Sequence, residues 1–111
     1  MGATDRFEGH IVQGHIDDTA EVTKVVPEGD GRRMTIRVPK RLRRYLVEKG
    51  SLTVDGVSLT VAALRRKTAE VVLIPHTLAM TNLGLRATGD RVNLEVDLMA
   101  KYIERLLAGR K

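Results

Sequence analysis

The stretch DGVSLTV, Asp55 to Val61, carries the first residues whose types and spacing suggest chemistry. In a strand, alternation sends Val57, Leu59 and Val61 to one face and Ser58 and Thr60 to the other. Two small hydroxyls on one wall either orient a polar ligand or face water. Ser58 is not framed as a nucleophile, since Val57 precedes it and no G-x-S-x-G elbow surrounds it. The three histidines raise other chemistry. His10 and His15 are five positions apart, an odd offset, so a regular strand points them apart, and joint chelation needs a bulge at Gly14. His76 joins them only through tertiary contact, and the carboxylate and histidine pattern of a zinc enzyme is absent. The spacing predicts no metal site. His15 stays as a candidate general acid or base, because imidazole titrates near neutrality, with a hydrogen-bonded structural histidine as the alternative.

The elements that must hold these groups are short. GHIVQGHID, TAEVTKVV, RMTIRV, SLTV, VSLTVAAL, AEVVLI and DRVNLEV are rich in β-branched residues and bounded by turn signals, which reads as strands. PEGDG joins two of them as a hairpin turn rather than a phosphate loop. The spacing predicts a small barrel rather than a sheet covered by helices. Two helices interrupt it. One spans Pro39 to Glu48, with Pro39 in its first turn, Leu42, Tyr45 and Leu46 at helical spacing and Lys49-Gly50 as a stop. The other follows Asp97, an N-cap candidate, and carries Leu98, Met99, Tyr102, Ile103, Leu106 and Leu107 on a stripe wide enough to meet another subunit. PHTLAMTNLG, Pro75 to Gly84, reads as a loop or single turn.

Composition narrows the function classes. At 111 residues the chain is one domain. Without cysteine it has no disulfide framework, thiolate chemistry or cysteine-held metal. No stretch is long and apolar enough for a membrane span, and MGATDRFEGH lacks the apolar core of a signal peptide, so a cytoplasmic protein is expected. The formal net charge of +5 is concentrated in KRLRR (Lys40 to Arg44) and RRK (Arg65 to Lys67). That raises nucleic acid as a partner. Neither cluster contains an aromatic residue among Phe7, Tyr45 and Tyr102 except at its border, so stacking platforms between the cations are missing, and solvated faces are the reading preferred.

Read in order, GHIVQGHIDDTAEV, YLVEKGSLTVDGVSLTV, IPHTLAMTNLG, GDRVNLEVD and KYIERLL closely resemble the second half of the riboflavin synthase alpha chain. The resemblance runs from about Gly9 to Leu107. It implies an all-β fold, a six-stranded antiparallel Greek-key barrel with a short helix and a C-terminal helix. The expected divisions are a lead-in over 1–8, a lumazine-binding barrel over 9–97 and a helix over 98–111. Glu8 stands where the family commonly has glycine, which bears on the first turn.

The resemblance also implies the ligand, 6,7-dimethyl-8-ribityllumazine or riboflavin. The family's reaction passes a four-carbon unit from one lumazine to another, giving riboflavin and a ribitylaminouracil, with no metal or organic cofactor. Carried over by motif, Gly14, His15 and Ile16 line the site, Lys49 stands at its edge, and Ser58, Leu59 and Thr60 form an inward wall. Ile74, Pro75, His76, Thr77, Leu78 and Ala79 close over the ring system, and Asp97 sits nearby. His15, Ser58 and Asp97 are the catalytic candidates. A family active site lies between a first and a second barrel, so a lone second barrel has half a site and little activity by itself. Expected partners are a lumazine or flavin, a first-barrel domain, further copies of the chain as dimer or trimer, and a lumazine synthase in the same pathway, with no nucleic acid and no membrane. A flavin- or lumazine-binding module without turnover is the alternative, and a nucleic-acid-binding barrel a third reading.

Overall fold

Alternating apolar and polar residues, punctuated by glycine and aspartate, close on themselves in the computed structural model, which describes residues 16–108. The six strands among the described residues are β1 (Asp18–Glu28), β2 (Gly31–Arg37), β3 (Ser51–Val54), β4 (Val57–Leu64), β5 (Thr68–Leu73) and β6 (Arg91–Val96). They form a closed antiparallel barrel in the order β1-β2-β5-β4-β3-β6, with β6 pairing back onto β1. Strands β3, β4 and β5 follow one another while β2 lies beyond β5, which is Greek-key topology. The all-β barrel expected from the sequence is the fold observed.

Local chemistry sets the corners. Asp55 and Gly56 link β3 to β4 with φ of 49° and 85°, the pair of positive values that a type I′ hairpin demands. Asp55 is held there on all sides. Its N–H donates to the Asn93 carbonyl at 2.9 Å, and its Oδ1 accepts the Asn93 N–H at 2.8 Å. Its Oδ2 accepts from Arg86 Nε and Nη2 at 3.0 and 2.7 Å. At Gly31 a Cβ would lie 2.1 Å from the Leu73 carbonyl oxygen, so only glycine lets β2 approach β5 this closely. Register shifts between Val22 and Lys24 and between Val61 and Ala63 add the local coiling that closure needs.

The interior is packed solid. Leu52, Leu59, Val61, Val71 and Leu94 alternate with outward polar residues and are at most 8 % exposed. Each such side chain stabilises the fold by about 1.5–3 kcal/mol relative to exposure. Leu42 and Leu46 from the β2–β3 crossover, and Leu83 from the β5–β6 crossover, complete the same core.

The crossovers differ from expectation. The helix expected over Pro39 to Glu48 is a 3-10 helix over Lys40–Tyr45. Leu46 is already extended, and residues 47–50 are tied to β4 instead. Lys49 N–H donates to the Val61 carbonyl at 2.8 Å, and Val61 N–H to the Gly50 carbonyl at 2.8 Å. No residues remain to continue the helix. The loop expected over Pro75 to Gly84 contains a helix, α1 (Pro75–Met80), and a 3-10 turn over Leu83–Leu85. Pro75 begins α1 where its missing N–H costs nothing. The last helix, α2 (Leu98–Ala108), starts where the sequence put it, with Asp97 Oδ1 accepting the Met99 N–H at 3.1 Å as a cap. No helix among the described residues is long and apolar enough to cross a membrane.

Candidate ligand-binding face

Alternation along β4 divides DGVSLTV as the sequence requires, but the hydroxyl wall is on the outside. Leu59 and Val61 fill the interior, Ser58 is half-buried on the outer face and Thr60 is exposed there. The inward wall is therefore corrected: six strands enclose only enough room for their own side chains, so a ring system has no lumen to enter. Between Ser58 and Thr60 the Leu59 side chain points into the core at 8 % exposure. Any wall is made by its two neighbours.

Outside, the strand register extends that wall. Ser58 lies opposite Thr53, and Thr53 opposite Glu95, which sets a polar row across β4, β3 and β6. Thr60 lies opposite Ser51. The β3–β6 ladder ends at the pair Leu52 and Val96, and Asp97 follows at the end of β6, where it caps the last helix. Lys49, exposed and held at φ 73°, borders the pair of Thr60 and Ser51 through its bond to Val61. Ser51, Thr53 and Glu95 were not singled out from the sequence. The signal was available, since they occupy the same alternate positions on β3 and β6 that Ser58 and Thr60 occupy on β4.

Asp17 fixes one flank. Its N–H donates to the Leu94 carbonyl at 2.8 Å. Its Oδ2 accepts the Val96 N–H at 2.8 Å and its Oδ1 the Lys101 ammonium at 2.5 Å, while its carbonyl accepts from Arg41. The residue before it, Ile16, is 57 % exposed beside this anchor. The two other residues of that motif, Gly14 and His15, lie outside the described residues, as does His10. The metal question posed by the paired histidines is thus left where the sequence put it.

The other flank is α1. Ile74 is 55 % exposed at the end of β5, Pro75, His76 and Ala79 are exposed, and Thr77 and Leu78 are half-buried. His76 and Thr77 look onto a cleft of about 750 Å³ that also receives Asp55, Val57, Met80, Asn82 and Arg86. The described part of the expected set is thus spread out: Ser58 and Thr60 lie on the outer face of β4 with Lys49 tied to Val61 beside them, Ile16 precedes the anchor Asp17 and Asp97 follows β6, whereas His76 and Thr77 belong to the cleft at the β3–β4 hairpin. A second cleft, about 860 Å³, lies between the 3-10 helix and α2 and takes Asp97 at its edge.

The pronounced electrostatic pairing lies elsewhere. On the outer side of β1, β2 and β5, Arg33 donates to Glu28 at 2.7 Å and to Glu70 at 2.8 Å. The guanidinium hydrogen bond holds the Glu28 carboxyl below its ordinary value, and both carboxylates hold Arg33 above its own.

The model of the lumazine binding domain matches residues 13–97. The riboflavin synthase of Actinobacillus pleuropneumoniae is 47 % identical over 107 residues, covering 96 % of this chain and 50 % of that protein. That of Mycobacterium bovis is 52 % identical over 105 residues, covering 92 % of this chain and 52 % of that protein. The chain spans about half the length of the curated relatives it matches. Among solved structures, LumP complexed with 6,7-dimethyl-8-(1'-D-ribityl) lumazine superposes with a TM-score of 0.70 at 25 % identity, over 76 % of this chain and 46 % of that one.

Proposed function

We propose, from the premise that this chain belongs to the lumazine-binding domain family, that its outer face binds 6,7-dimethyl-8-ribityllumazine or riboflavin and supplies one half of a site that converts lumazine to riboflavin. The observation that carries the reading is the polar row of Ser58 with Thr53 and Glu95, beside the pair of Thr60 with Ser51. A flat heterocycle with a polyol tail needs several fixed donors and acceptors beside apolar surface, because polar groups buried without partners are costly. Ile16 and Ile74 offer that apolar surface. In this reading His15 and Ser58 assist proton transfer at the acidic methyl group of the lumazine, with Asp97 nearby and no cofactor taking part. Binding takes place in the cytoplasm.

A wall on the outside of a barrel covers one side of a ligand only. The second lumazine and the opposite wall come from a first barrel, and alignment of two reacting molecules is worth many orders of magnitude in rate. The isolated chain is expected to bind riboflavin, quenching its fluorescence saturably, and to form riboflavin from lumazine only when a first barrel from a homologous chain is added. Full turnover by the chain alone refutes the half-site, and absence of quenching refutes the binding face. A module that binds without turnover is the second reading; it predicts quenching with no riboflavin formed even after the first barrel is added.

A further inference from the structure

Away from the lumazine face, a recess of about 350 Å³ is lined by Thr19, Glu21, Arg37, Lys40, Arg43 and Arg91. Strand register assembles most of it. Glu21 on β1 lies opposite Arg37 on β2 and opposite Arg91 on β6, which sets three charged residues abreast on the outer surface. The start of the 3-10 helix brings Lys40 and Arg43 over them. Four cations thus face one carboxylate.

Arg33, Arg41, Arg65, Arg86 and Lys101 each have a carboxylate partner. Among the described residues, Arg37, Lys40, Arg43 and Arg91 have none. Other described cations, Lys24, Arg32 and Arg66 among them, also lack an ion pair, but these four converge on one recess. Arg91 is instead held by a neutral group, donating from Nη2 and Nε to Thr19 Oγ1 at 2.9 and 3.3 Å. Arg43 is likewise fixed by a neutral acceptor, donating from Nε to the Val38 carbonyl at 2.9 Å. Both guanidinium groups are oriented by neutral acceptors, and the single Glu21 carboxylate offsets only part of the positive charge around it, an excess that self-repulsion disfavours unless an anion is present.

We propose that this recess binds a phosphate group, either the free ion or the terminal monoester of a small molecule. Two oriented guanidinium groups match the oxygens of a tetrahedral anion, and Lys40 and the Thr19 hydroxyl complete the set of donors. The volume admits a phosphate with several waters, each needing about 30 Å³. No aromatic side chain among the described residues lines it, so its described lining lacks the stacking platforms of a single-strand nucleic-acid groove.

The proposal does not depend on the lumazine reading, and its test does not use a flavin. Inorganic phosphate and glycerol 3-phosphate are titrated separately into the whole chain at constant ionic strength, followed by amide chemical shifts. The expected result is saturable shifts at Thr19, Glu21 and Arg91 that sodium chloride does not reproduce. Tighter binding of glycerol 3-phosphate identifies the monoester as the ligand, and equal binding identifies the free ion. Arg37→Gln, which removes a side chain without bonds in the fold, and Arg91→Gln should each weaken binding by about tenfold, corresponding to one lost charge-assisted contact. Lys24→Gln, on β1 outside the recess, should leave it unchanged. Shifts reproduced by chloride, binding equal in Arg37→Gln and the unaltered chain, or an oligonucleotide that binds while phosphate does not, would overturn the proposal.

Discussion

Asp17→Ala tests how the outer face is held. The Asp17 carboxylate is 10 % exposed and accepts from the Val96 N–H and the Lys101 ammonium. Removing it strands a part-buried backbone donor, a loss of about 1–3 kcal/mol. The Lys101 pair adds less, because that side chain is 36 % exposed and solvent screens it; about 0.5 kcal/mol is a fair allowance. Relief of the carboxylate's own desolvation offsets part of the sum, leaving about 2 kcal/mol. For a domain of this size that lowers the melting midpoint by about 8–16 °C. Asp17→Asn keeps an oxygen for Val96 and loses only the charge, so it should cost about 0.5–1 kcal/mol. Urea titration of the three chains with a shared m-value checks both figures. If Asp17→Asn is as damaging as Asp17→Ala, or if Asp17→Ala loses less than about 0.5 kcal/mol, the clamp is not where the stability resides.

Ser58→Ala and Thr60→Ala should each weaken riboflavin binding by about fivefold, near 1 kcal/mol per lost hydrogen bond, with melting midpoints little changed; unaltered affinity in both returns the hydroxyls to solvent. The face of α2 that exposes Tyr102, Ile103 and Leu106 by half or more predicts self-association, so Leu106→Glu should shift sedimentation toward the monomer. A clean monomer for the unaltered chain at high micromolar concentration rules this out. Acid sensitivity follows from the Glu28 carboxyl, whose folded value lies below its ordinary 4.5. Its contribution is complete above that ordinary value and disappears as the pH falls through the lowered one, so Glu28→Gln should flatten the stability profile in that window, lying below the unaltered chain at neutral pH and meeting it in acid.

Period-two alternation was enough to read the strands, since it fixes which side chains meet, and it placed Leu59 and Val61 apart from Ser58 and Thr60 correctly. What alternation cannot supply is which face becomes the inside. That depends on barrel closure, and a six-stranded barrel has no lumen for a ligand, so the polar face was bound to be outer. The helix over Pro39 to Glu48 was misjudged because Leu42 and Leu46 satisfy helical spacing and also the tighter turn that drops the chain into β3. Asp17 went unnoticed because its partners, Val96 and Lys101, are 79 and 84 residues away. The recess around Arg91 was equally hidden, being assembled from β1, β2, β6 and a crossover. KRLRR was legible as a basic cluster, while the departure of Arg43 from its solvated face came from the carbonyl of Val38.

The strand that opens the barrel and the strand that completes it are hydrogen-bonded neighbours, with Asp18 opposite Leu94 and Asp97 directly following β6. The polypeptide therefore enters and leaves this unit at almost the same spot. A module with that property can be copied in tandem or inserted into a longer polypeptide with only a short connector, because no neighbour has to stretch around it and no strand edge is left to mispair. The seam between β1 and β6 is therefore where a graft of the barrel into an unrelated protein should be made.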